Sequence, residues 1–448
     1  MRAFFDICTI VITAVFLVHS IKRIFISSRY LIYLLVFMLY ILPIFLDYLV
    51  GFQDHGRYGF WLAMPDVPTA CIYDVGLIIA SFIILFTKIP NKGLFYENLQ
   101  TKPLDDKKSI TLWLILGMAL PAFFTVFLLR QPELLYSFQW RELELFPISG
   151  SYSNVEKLTY FGISCAVMLL TDRRGKVISL SRILALLFLF VNVCIQGKRG
   201  ILFFAIINII VNLFLIYVSL GRNKKSRKVF AVGAVVVTAA LTAYMIFMSF
   251  FVKIERGYNE DDTVVLYTST RVDFFRDDRV RMAIYSEIHP DKMTILSHKG
   301  ETIIPNILSI VPLNYIADWM GIEIHSYQQF LSSANDGVKF KYSPKAENLN
   351  HMTPTIYAEL ISNFGILIGF LLFPLLCVWF ANVIDKYGFP HNSFLICTFI
   401  LVNLFNLPYL MMYAEIVLII CIISKRKSRQ EMIKRSRHES INDRAVTC

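Results

Sequence analysis

The stretch "NLNHMTPTIYAELISNFGILIGFLLFPLLCVWF", Asn348 to Phe380, joins a polar segment directly to an apolar one. Its second part, from Ile366 onward, contains no charged residue. Apolar runs of about 20 residues cross the roughly 30 Å hydrocarbon core of a bilayer. Only helices and closed barrels satisfy their own backbone polar groups there. The stretch therefore predicts a membrane helix that begins with hydrogen-bonding and proton-transfer groups.

The whole chain has the composition of a membrane protein. Of its 448 residues, 56% are hydrophobic and 15% aromatic, and the mean hydropathy of +0.57 exceeds that of soluble domains. Similar apolar runs recur along the chain. We therefore predict an all-α, polytopic transmembrane bundle of about 10–12 spans, with eleven as the best estimate. The spans are expected at 4–20, 30–50, 67–87, 110–129, 158–170, 177–195, 201–220, 229–251 and 354–384, with a broken pair around Pro408 within 394–423.

Lys and Arg concentrate in alternate loops and in the terminal segment 424–448. Because cytoplasmic loops carry the excess of basic residues, these segments are placed inside, which leaves the N-terminus outside. The basic charge then reflects topology and contact with membrane lipids, and no nucleic-acid partner is expected. The cysteines lie mainly in apolar runs, so no disulfide framework and no metal site is expected. Residues 1–448 are expected to form one integral membrane domain with a cytoplasmic tail.

One connection, 252–353, is about a hundred residues long. Loops of this length are functional or disordered, and this loop contains hydrophobic stretches and nearly balanced charge. We expect a folded extracytoplasmic loop with short helices over the mouth of the bundle.

A second outer feature is the turn "IQGKRGILFF", which contains Lys198 and Arg199. Basic residues at an outer end run against the inside-positive tendency. Two interpretations stay open: a tight turn whose side chains reach the headgroups, or a guanidinium directed at a phosphate.

Within the long loop, "TSTRVDFFRDDRVRMAIY" places Arg271, Arg276, Arg279 and Arg281 among three aspartates. A helix would bring Arg276 and Arg279 onto one face. The segment is then either a solvated helix with ion pairs along it or a set of guanidinium forks suited to bidentate phosphate contacts.

The polar opening of the first stretch predicts a helix start, with Thr353 as N-cap and Pro354 at the first helical position. His351 would precede that helix. Glu359 would lie about 9 Å below the helix start, on a polar stripe that begins at Thr355. A carboxylate at that depth avoids lipid, so it makes an interhelical hydrogen bond or belongs to a site in a water-filled cavity.

The many spans, the large outer loop, the Gly-x-Arg-Gly turn and the His before "ELISNFG" together resemble the Wzy-type O-antigen and repeat-unit polysaccharide polymerases. These are related to the O-antigen ligases and have a GT-C-like membrane fold. The resemblance implies inverting, metal-independent glycosyl transfer without a cofactor on the outer face of the bacterial cytoplasmic membrane. The implied substrate is an oligosaccharide linked to undecaprenyl pyrophosphate, the leaving group.

The resemblance also assigns residues. It matches Arg199 and Arg271 or Arg276 to the pyrophosphate-binding residues and His351 to the His of the ligase relatives. Because a neutral imidazole is suited to accept the proton of the acceptor hydroxyl, we expect His351 as general base, with Glu359 orienting it or serving as the alternative base. The candidates for pyrophosphate binding are Lys198, Arg199, Arg271, Arg276, Arg279 and Arg281, and those for sugar stacking are Tyr315, Trp319 and Tyr327. Some polymerases have an Arg followed eleven residues later by Gly, and no Arg of this loop has that spacing, so the choice among the loop arginines stays open.

Two alternatives remain at this point. An O-antigen ligase would share these features but would transfer the glycan to lipid A core. A flippase or other transporter of lipid-linked oligosaccharide would place functional charges through the bundle and would have internal repeats. A chain-length regulator and a flippase are the protein partners that the polymerase interpretation suggests.

Overall fold

A computed structural model describes part of the chain. The described residues are 2–50, 58–88, 95, 160, 162–170, 180–189, 199–219, 232–233, 235, 239, 243, 275–308, 313, 316, 319–321, 325–335, 337, 353–386 and 391–404.

Every regular element among these residues is helical, which confirms the predicted all-helical class. The helices are α1 (Arg2–Arg23), α2 (Ser28–Val36), α3 (Leu42–Val50), α4 (Tyr58–Ala63), α5 (Val67–Phe86), α6 (Leu180–Leu189), α7 (Arg199–Ser219), α8 (Asp277–Ile288), α9 (Ile303–Leu308), α10 (Tyr327–Asn335), α11 (Ile356–Phe364), α12 (Ile366–Lys386) and α13 (His391–Leu404). Residues Phe37–Ile41 form a π turn between α2 and α3.

Four helices among the described residues are long and apolar enough to cross a membrane: Arg2–Arg23, Ser28–Tyr48, Val67–Phe86 and Ile366–Lys386. The chain is therefore a membrane protein with several helical spans. Each of the four buries one side in the bundle and exposes large apolar side chains on another, as Leu367 of α12 does. The predicted span 110–129 and most of the predicted span 229–251 lie outside the described residues. The part of 394–423 after Leu404, which includes the predicted break at Pro408, lies outside them too.

The bundle is built around α5 and α12. Helix α1 packs against α5 and α2, while α12 packs against α5, α2, α11 and α13. Close packing depends on small residues, because a Cβ at Gly76 of α5 would meet the Phe370 ring at 2.4–2.7 Å. Helices α7 and α13 are joined by polar side chains. The Ser393 hydroxyl donates to Asn212 Oδ1 at 2.9 Å, and the Cys397 thiol donates to Asn208 Oδ1 at 2.6 Å.

The predicted single span 354–384 is wrong, because it consists of α11 and α12 separated by Gly365. Gly365 has φ +85°, a value that only glycine adopts at little cost. The predicted N-cap was also wrong. Thr355 occupies the N-cap position, and its hydroxyl makes a hydrogen bond with that of Tyr40 and not with the helix backbone. Because α11 starts later than predicted, Glu359 lies in its first turn, where the helix dipole favours a carboxylate.

The two ends of the bundle differ. At one end, which we name the clamp end, Asp385 of α12 accepts hydrogen bonds from the Ser27 hydroxyl at 2.6 Å and the Ser28 N–H at 2.8 Å. Arg29 is fully buried there and donates to the carbonyls of Thr87 and Lys88.

At the opposite end, the loop end, the Arg2 guanidinium donates to the Met64 carbonyl at 3.0 Å. His289 Nε2, from the long loop, lies 3.6 Å from Asp66 Oδ1 at the start of α5. The described part of the long loop therefore packs at the end opposite the clamp.

Candidate functional site

Helix α8, from the long loop, is polar in sequence but enclosed by the bundle. It packs against α4, α5, α11 and the π turn, and every residue from Asp277 to Ser286 is buried. Of the two interpretations of this segment, the solvated helix with ion pairs therefore does not apply to α8. Burying charged groups is costly unless they are paired or hydrogen-bonded, so the partners of its charged side chains decide what each one can do.

Arg276 and Arg279 are held by the protein backbone. Arg276 Nε donates to the Leu404 carbonyl at 3.2 Å, and its backbone N–H donates to the Leu39 carbonyl in the π turn at 3.0 Å. Arg279 Nε donates to the Thr353 carbonyl at 3.2 Å, while its Nη1 is bound by the carboxylate of Asp278. The two guanidinium groups and the backbone N–H of Arg276 together fix α8 to three other parts of the bundle.

Arg281 is placed differently. Its side chain is 1% exposed, yet its Nε and Nη1 have no hydrogen-bond partner among the described residues. Its charge is faced by Asp277 Oδ2, 3.9 Å from Nε, and by the Tyr73 ring, whose centroid lies 4.9 Å from Cζ. A buried guanidinium with donors to spare is suited to an anionic ligand.

Arg281 lines a cavity of about 360 Å³ at the loop end, which we name the α1–α8 cavity. The lining residues are Arg2, Ala3, Asp6, Ile44, Asp47, Tyr48 and Arg281. Two guanidinium groups and two carboxylates thus converge there from α1, α3 and α8. Arg2 Nε lies 3.6 Å from Asp6 Oδ2, and the buried Asp74 of α5 interacts with Asp6, Arg281 and Arg2.

A series of aromatic side chains holds the Tyr73 ring that faces Arg281. The Tyr73 hydroxyl donates to the Tyr40 carbonyl at 2.7 Å. Tyr40 meets Tyr357 edge-on at 5.6 Å, and Tyr357 stacks on Phe373 at 4.0 Å. Such ring pairs stabilise beyond their burial by about 0.5–1.5 kcal/mol, so the ring beneath Arg281 is held in place.

Glu359, a predicted catalytic residue, takes part in a hydrogen-bond network that joins the loop to α11. Its Oε1 accepts from Asn306 Nδ2 at 2.5 Å and from the Thr302 hydroxyl at 3.3 Å. Asn363 donates to the Thr302 hydroxyl at 2.8 Å. Glu359 is 2% exposed, and these contacts correspond to the interhelical hydrogen bond that the sequence analysis left open.

The remaining predicted site residues are not brought together by the described structure. His351, Lys198, Arg271 and Tyr315 lie outside the described residues, and Arg199 begins α7. Trp319 is 86% exposed. Tyr327 is buried, with its hydroxyl 2.9 Å from that of Ser362, and burial raises the pKa of the Tyr327 hydroxyl. Its ring has no open face on which a sugar could stack.

Arg2, Asp6, Asp47 and Asp74 were not among the residues predicted from the sequence. A usable signal was present, because the three aspartates stand inside the predicted spans 4–20, 30–50 and 67–87. Ionisable residues within membrane segments face the bundle interior or a cavity and indicate functional sites.

Comparison with known proteins does not place the chain in a family. No family model matches the chain, and neither curated proteins nor solved structures give a match. Within the described residues, no group of three or more His, Cys, Asp or Glu is arranged to hold a metal ion.

Proposed function

We propose that the protein is a repeat-unit polysaccharide polymerase of the cytoplasmic membrane. It transfers a growing glycan from undecaprenyl pyrophosphate to a lipid-linked repeat unit. The observation that carries the proposal is Arg281, a buried guanidinium with unused donors that lines the α1–α8 cavity. In this proposal Arg281 contacts the pyrophosphate, and Arg2 provides a second guanidinium at the more exposed side of the cavity.

The chemistry fits this arrangement. Pyrophosphate is a good leaving group, so the main requirement at the donor is stabilisation of the charge that develops on the departing oxygen. Fixed donors in a site that excludes water provide this stabilisation without reorganising during the reaction. Arg281 satisfies the condition because the Tyr73 ring and Asp277 hold its guanidinium in place.

The topology of the proposal has about eleven spans, with the loop end outside the cytoplasm. The basic residues Lys22 and Arg23 at the end of α1 and Lys386 at the end of α12 lie toward the clamp end, which supports a cytoplasmic clamp end. The undecaprenyl chain would lie in the bilayer beside the apolar faces of the bundle, and its pyrophosphate would reach the cavity at the opposite end.

The test uses purified protein in detergent with undecaprenyl-pyrophosphate-linked repeat unit, and the product is a ladder of longer glycans. We expect wild type to form the ladder and Arg281→Gln to lower its rate by about 10²–10³-fold, the loss typical of removing one charge-stabilising donor. Lys299→Gln is the matched control, because Lys299 is a half-exposed cation at the same end that contacts Glu287 outside the cavity. Arg281→Lys, which keeps the charge but not the fork, should be intermediate.

Folding effects are separated by size-exclusion chromatography of each variant. Arg276→Gln and Arg279→Gln should lose folded protein, because their guanidinium groups bind backbone carbonyls. A folded Arg281→Gln variant that forms the ladder at the wild-type rate would refute the assignment of Arg281. Absence of a ladder with wild type would refute polymerase activity.

A transporter of lipid-linked oligosaccharide is the second candidate, and the buried charges at both ends of the bundle favour it. Arg29 and Asp385 are buried at the clamp end, and Asp277 and Arg281 toward the loop end. The two functions differ in one measurement. A polymerase forms longer glycans in detergent, whereas a transporter leaves the oligosaccharide unchanged and moves it across the bilayer of a sealed vesicle. An O-antigen ligase would instead require lipid A core as acceptor in the same detergent assay.

A further inference from the structure

The chain reverses direction at Gly365, so α11 and α12 form an antiparallel pair. A Cβ added at Gly369 would lie 2.7 Å from Ile361 Cα. The Tyr357 ring stacks on the Phe373 ring with a centroid distance of 4.0 Å. In one continuous helix the members of these two pairs would lie about 12 Å and about 24 Å apart along the axis. Both pairs are symmetric about Gly365, so residues equally far from Gly365 in sequence lie at the same level of the bundle.

The outer turns of α12 face lipid. Helix α12 is one of the four helices that can cross a membrane, and its first turns, at the loop end, expose Leu367, Ile368 and Leu371. Leu367 is 74% exposed. Large aliphatic side chains that point away from the bundle within a span contact hydrocarbon. This face of α12 therefore marks where the bilayer lies beside the bundle.

Helix α9, from the long loop, is fixed to α11 by hydrogen bonds on one side. The Gly300 N–H, just before α9, donates to the Asn363 carbonyl at 3.1 Å. The Thr302 hydroxyl and Asn306 Nδ2 donate to Glu359 Oε1 at 3.3 Å and 2.5 Å. Thr302 and Asn306 are both buried. The polar side chains of this segment thus point toward the protein.

These contacts also set the depth of α9. By the symmetry about Gly365, Asn363 is level with Leu367 of α12, and Glu359 is level with Leu371. Leu371 lies about 8 Å inside the outer end of α12, at about 1.5 Å per residue. Helix α9 therefore lies beside the bundle at the depth of the lipid-facing turns of α12.

The side of α9 that points away from α11 is apolar and exposed. Ile304 is 66% exposed, and Ile307, three residues later on the same face, is 43% exposed. Leaving such side chains in water forgoes the free energy of burying them. The surrounding sequence agrees with an apolar environment, because residues 302–317 include no charged residue. Pro305 and Pro312 interrupt this run, which favours a segment that enters and leaves the membrane on one side over a straight span.

We propose that α9 is embedded in the membrane leaflet at the loop end, with Ile304 and Ile307 in contact with the acyl chains of bilayer lipids. Its apolar face continues the lipid-facing surface of α12 at the same depth. Its polar side chains bind α11, and its helical backbone satisfies its own hydrogen bonds, as hydrocarbon requires. The lipid contact follows from the fold alone and is the same for a polymerase and for a transporter.

The test places a tryptophan in the proposed contact and measures how strongly brominated lipid quenches its fluorescence. Ile304→Trp is reconstituted in vesicles of phosphatidylcholine that carries bromine on the upper part of each acyl chain. The emission of the wild-type protein, which has five tryptophans, is subtracted. Leu367→Trp is the lipid-facing control. Asp291→Trp is the water-facing control, because Asp291 is exposed in the loop between α8 and α9.

We expect lipid to quench Ile304→Trp at least about half as strongly as Leu367→Trp, and Asp291→Trp less than about a tenth as strongly, because bromine reaches only side chains at hydrocarbon depth. Ile307→Trp should be quenched like Ile304→Trp, and it replaces that variant if Ile304→Trp does not fold.

Two results would overturn the proposal. Quenching of folded Ile304→Trp that is no stronger than that of Asp291→Trp would show that water or protein covers this face of α9. Loss of the quenching on addition of undecaprenyl phosphate, with Leu367→Trp unchanged, would assign the face to a polyprenyl chain instead of bilayer lipid. Neither result depends on whether the protein forms longer glycans, so the lipid contact and the proposed function are tested separately.

Discussion

The clamp end allows the fold to be tested with a single substitution, Asp385→Ala. Asp385 is 1% exposed and accepts hydrogen bonds from the Ser27 hydroxyl and the Ser28 N–H. It also lies close enough to the buried Arg29 to stabilise its charge. Three groups at the start of α2 therefore depend on one carboxylate of α12.

The expected loss in the free energy of unfolding follows from these contacts. A hydrogen bond to a charged group contributes about 1.5–3 kcal/mol, and two such bonds are lost in Asp385→Ala. Arg29 keeps its bonds to the Thr87 and Lys88 carbonyls but loses its nearby negative charge. The two hydrogen bonds together contribute about 3–6 kcal/mol to the free energy of unfolding, and we expect a loss in that range. Asp385→Asn keeps one acceptor for the Ser28 N–H, so its cost should be about half as large.

The assay heats the detergent-solubilised protein and measures the monodisperse fraction by size-exclusion chromatography. A loss of 1 kcal/mol lowers the melting temperature of a domain of 150–250 residues by about 2–4 °C, and of a larger one by less. Asp385→Ala should therefore melt about 5–10 °C below wild type. The control is Asp291→Ala, because Asp291 is exposed in the long loop, where substitutions typically change stability by less than about 0.5 kcal/mol.

Melting temperatures of Asp385→Ala and Asp291→Ala within about 2 °C of each other would refute this prediction. That result would mean that water or other groups replace the carboxylate at the start of α2 without cost. The prediction also requires that the melting temperature rises from Asp385→Ala to Asp385→Asn to wild type. This order separates the loss of the negative charge from the loss of both hydrogen-bond acceptors.

Two further predictions use the same melting assay. Gly369→Ala should lower stability by about 1–3 kcal/mol, because the new Cβ would lie 2.7 Å from Ile361 Cα. Gly233→Ala is its control, since nothing lies within 4 Å there and alanine favours helix by about 1 kcal/mol; equal melting of both variants would contradict the packing argument. Glu359→Ala should lower the free energy of unfolding by about 1–3 kcal/mol, because the Asn306 amide loses its acceptor. Glu359→Gln should lower it by under about 1 kcal/mol. A larger loss in the Gln variant would show that the negative charge itself is required.

The sequence predicted well those features that depend on continuous apolar length. Helices α1 and α5 correspond closely to the predicted spans 4–20 and 67–87, because a polar segment interrupts the apolar run at the end of α1 and at both ends of α5. The break at Gly365 was missed, since hydropathy contains no information on the sign of φ. The N-cap was predicted at Thr353 and lies at Thr355 for a related reason. The hydroxyl that fills the N-cap position binds Tyr40, which is far away in sequence, and local capping rules do not contain that contact.

The candidate site shows the same division between local and non-local information. The aspartates within the spans could have been singled out from the sequence, because a carboxylate in an apolar run needs a partner or a cavity. The burial of α8 could not have been predicted from the sequence. A helix that is polar all round is expected in solvent, and α8 is enclosed only because carbonyls distant in sequence accept its donors.

Those acceptors are the Leu39 carbonyl at the π turn, the Thr353 carbonyl before α11 and the Leu404 carbonyl at the end of α13. The first two are available because regular helical hydrogen bonding is interrupted at the π turn and has not yet begun at Thr353. Arg276 and Arg279 donate hydrogen bonds to these acceptors. Among the loop arginines in the described structure, Arg281 is the one that lines the α1–α8 cavity. Within the proposed function, these contacts support Arg281 as our choice among the loop arginines that sequence spacing left open. A chain with the same arginines but an unbroken helix at Phe37–Ile41 would lose the Leu39 acceptor and with it the position of Arg281.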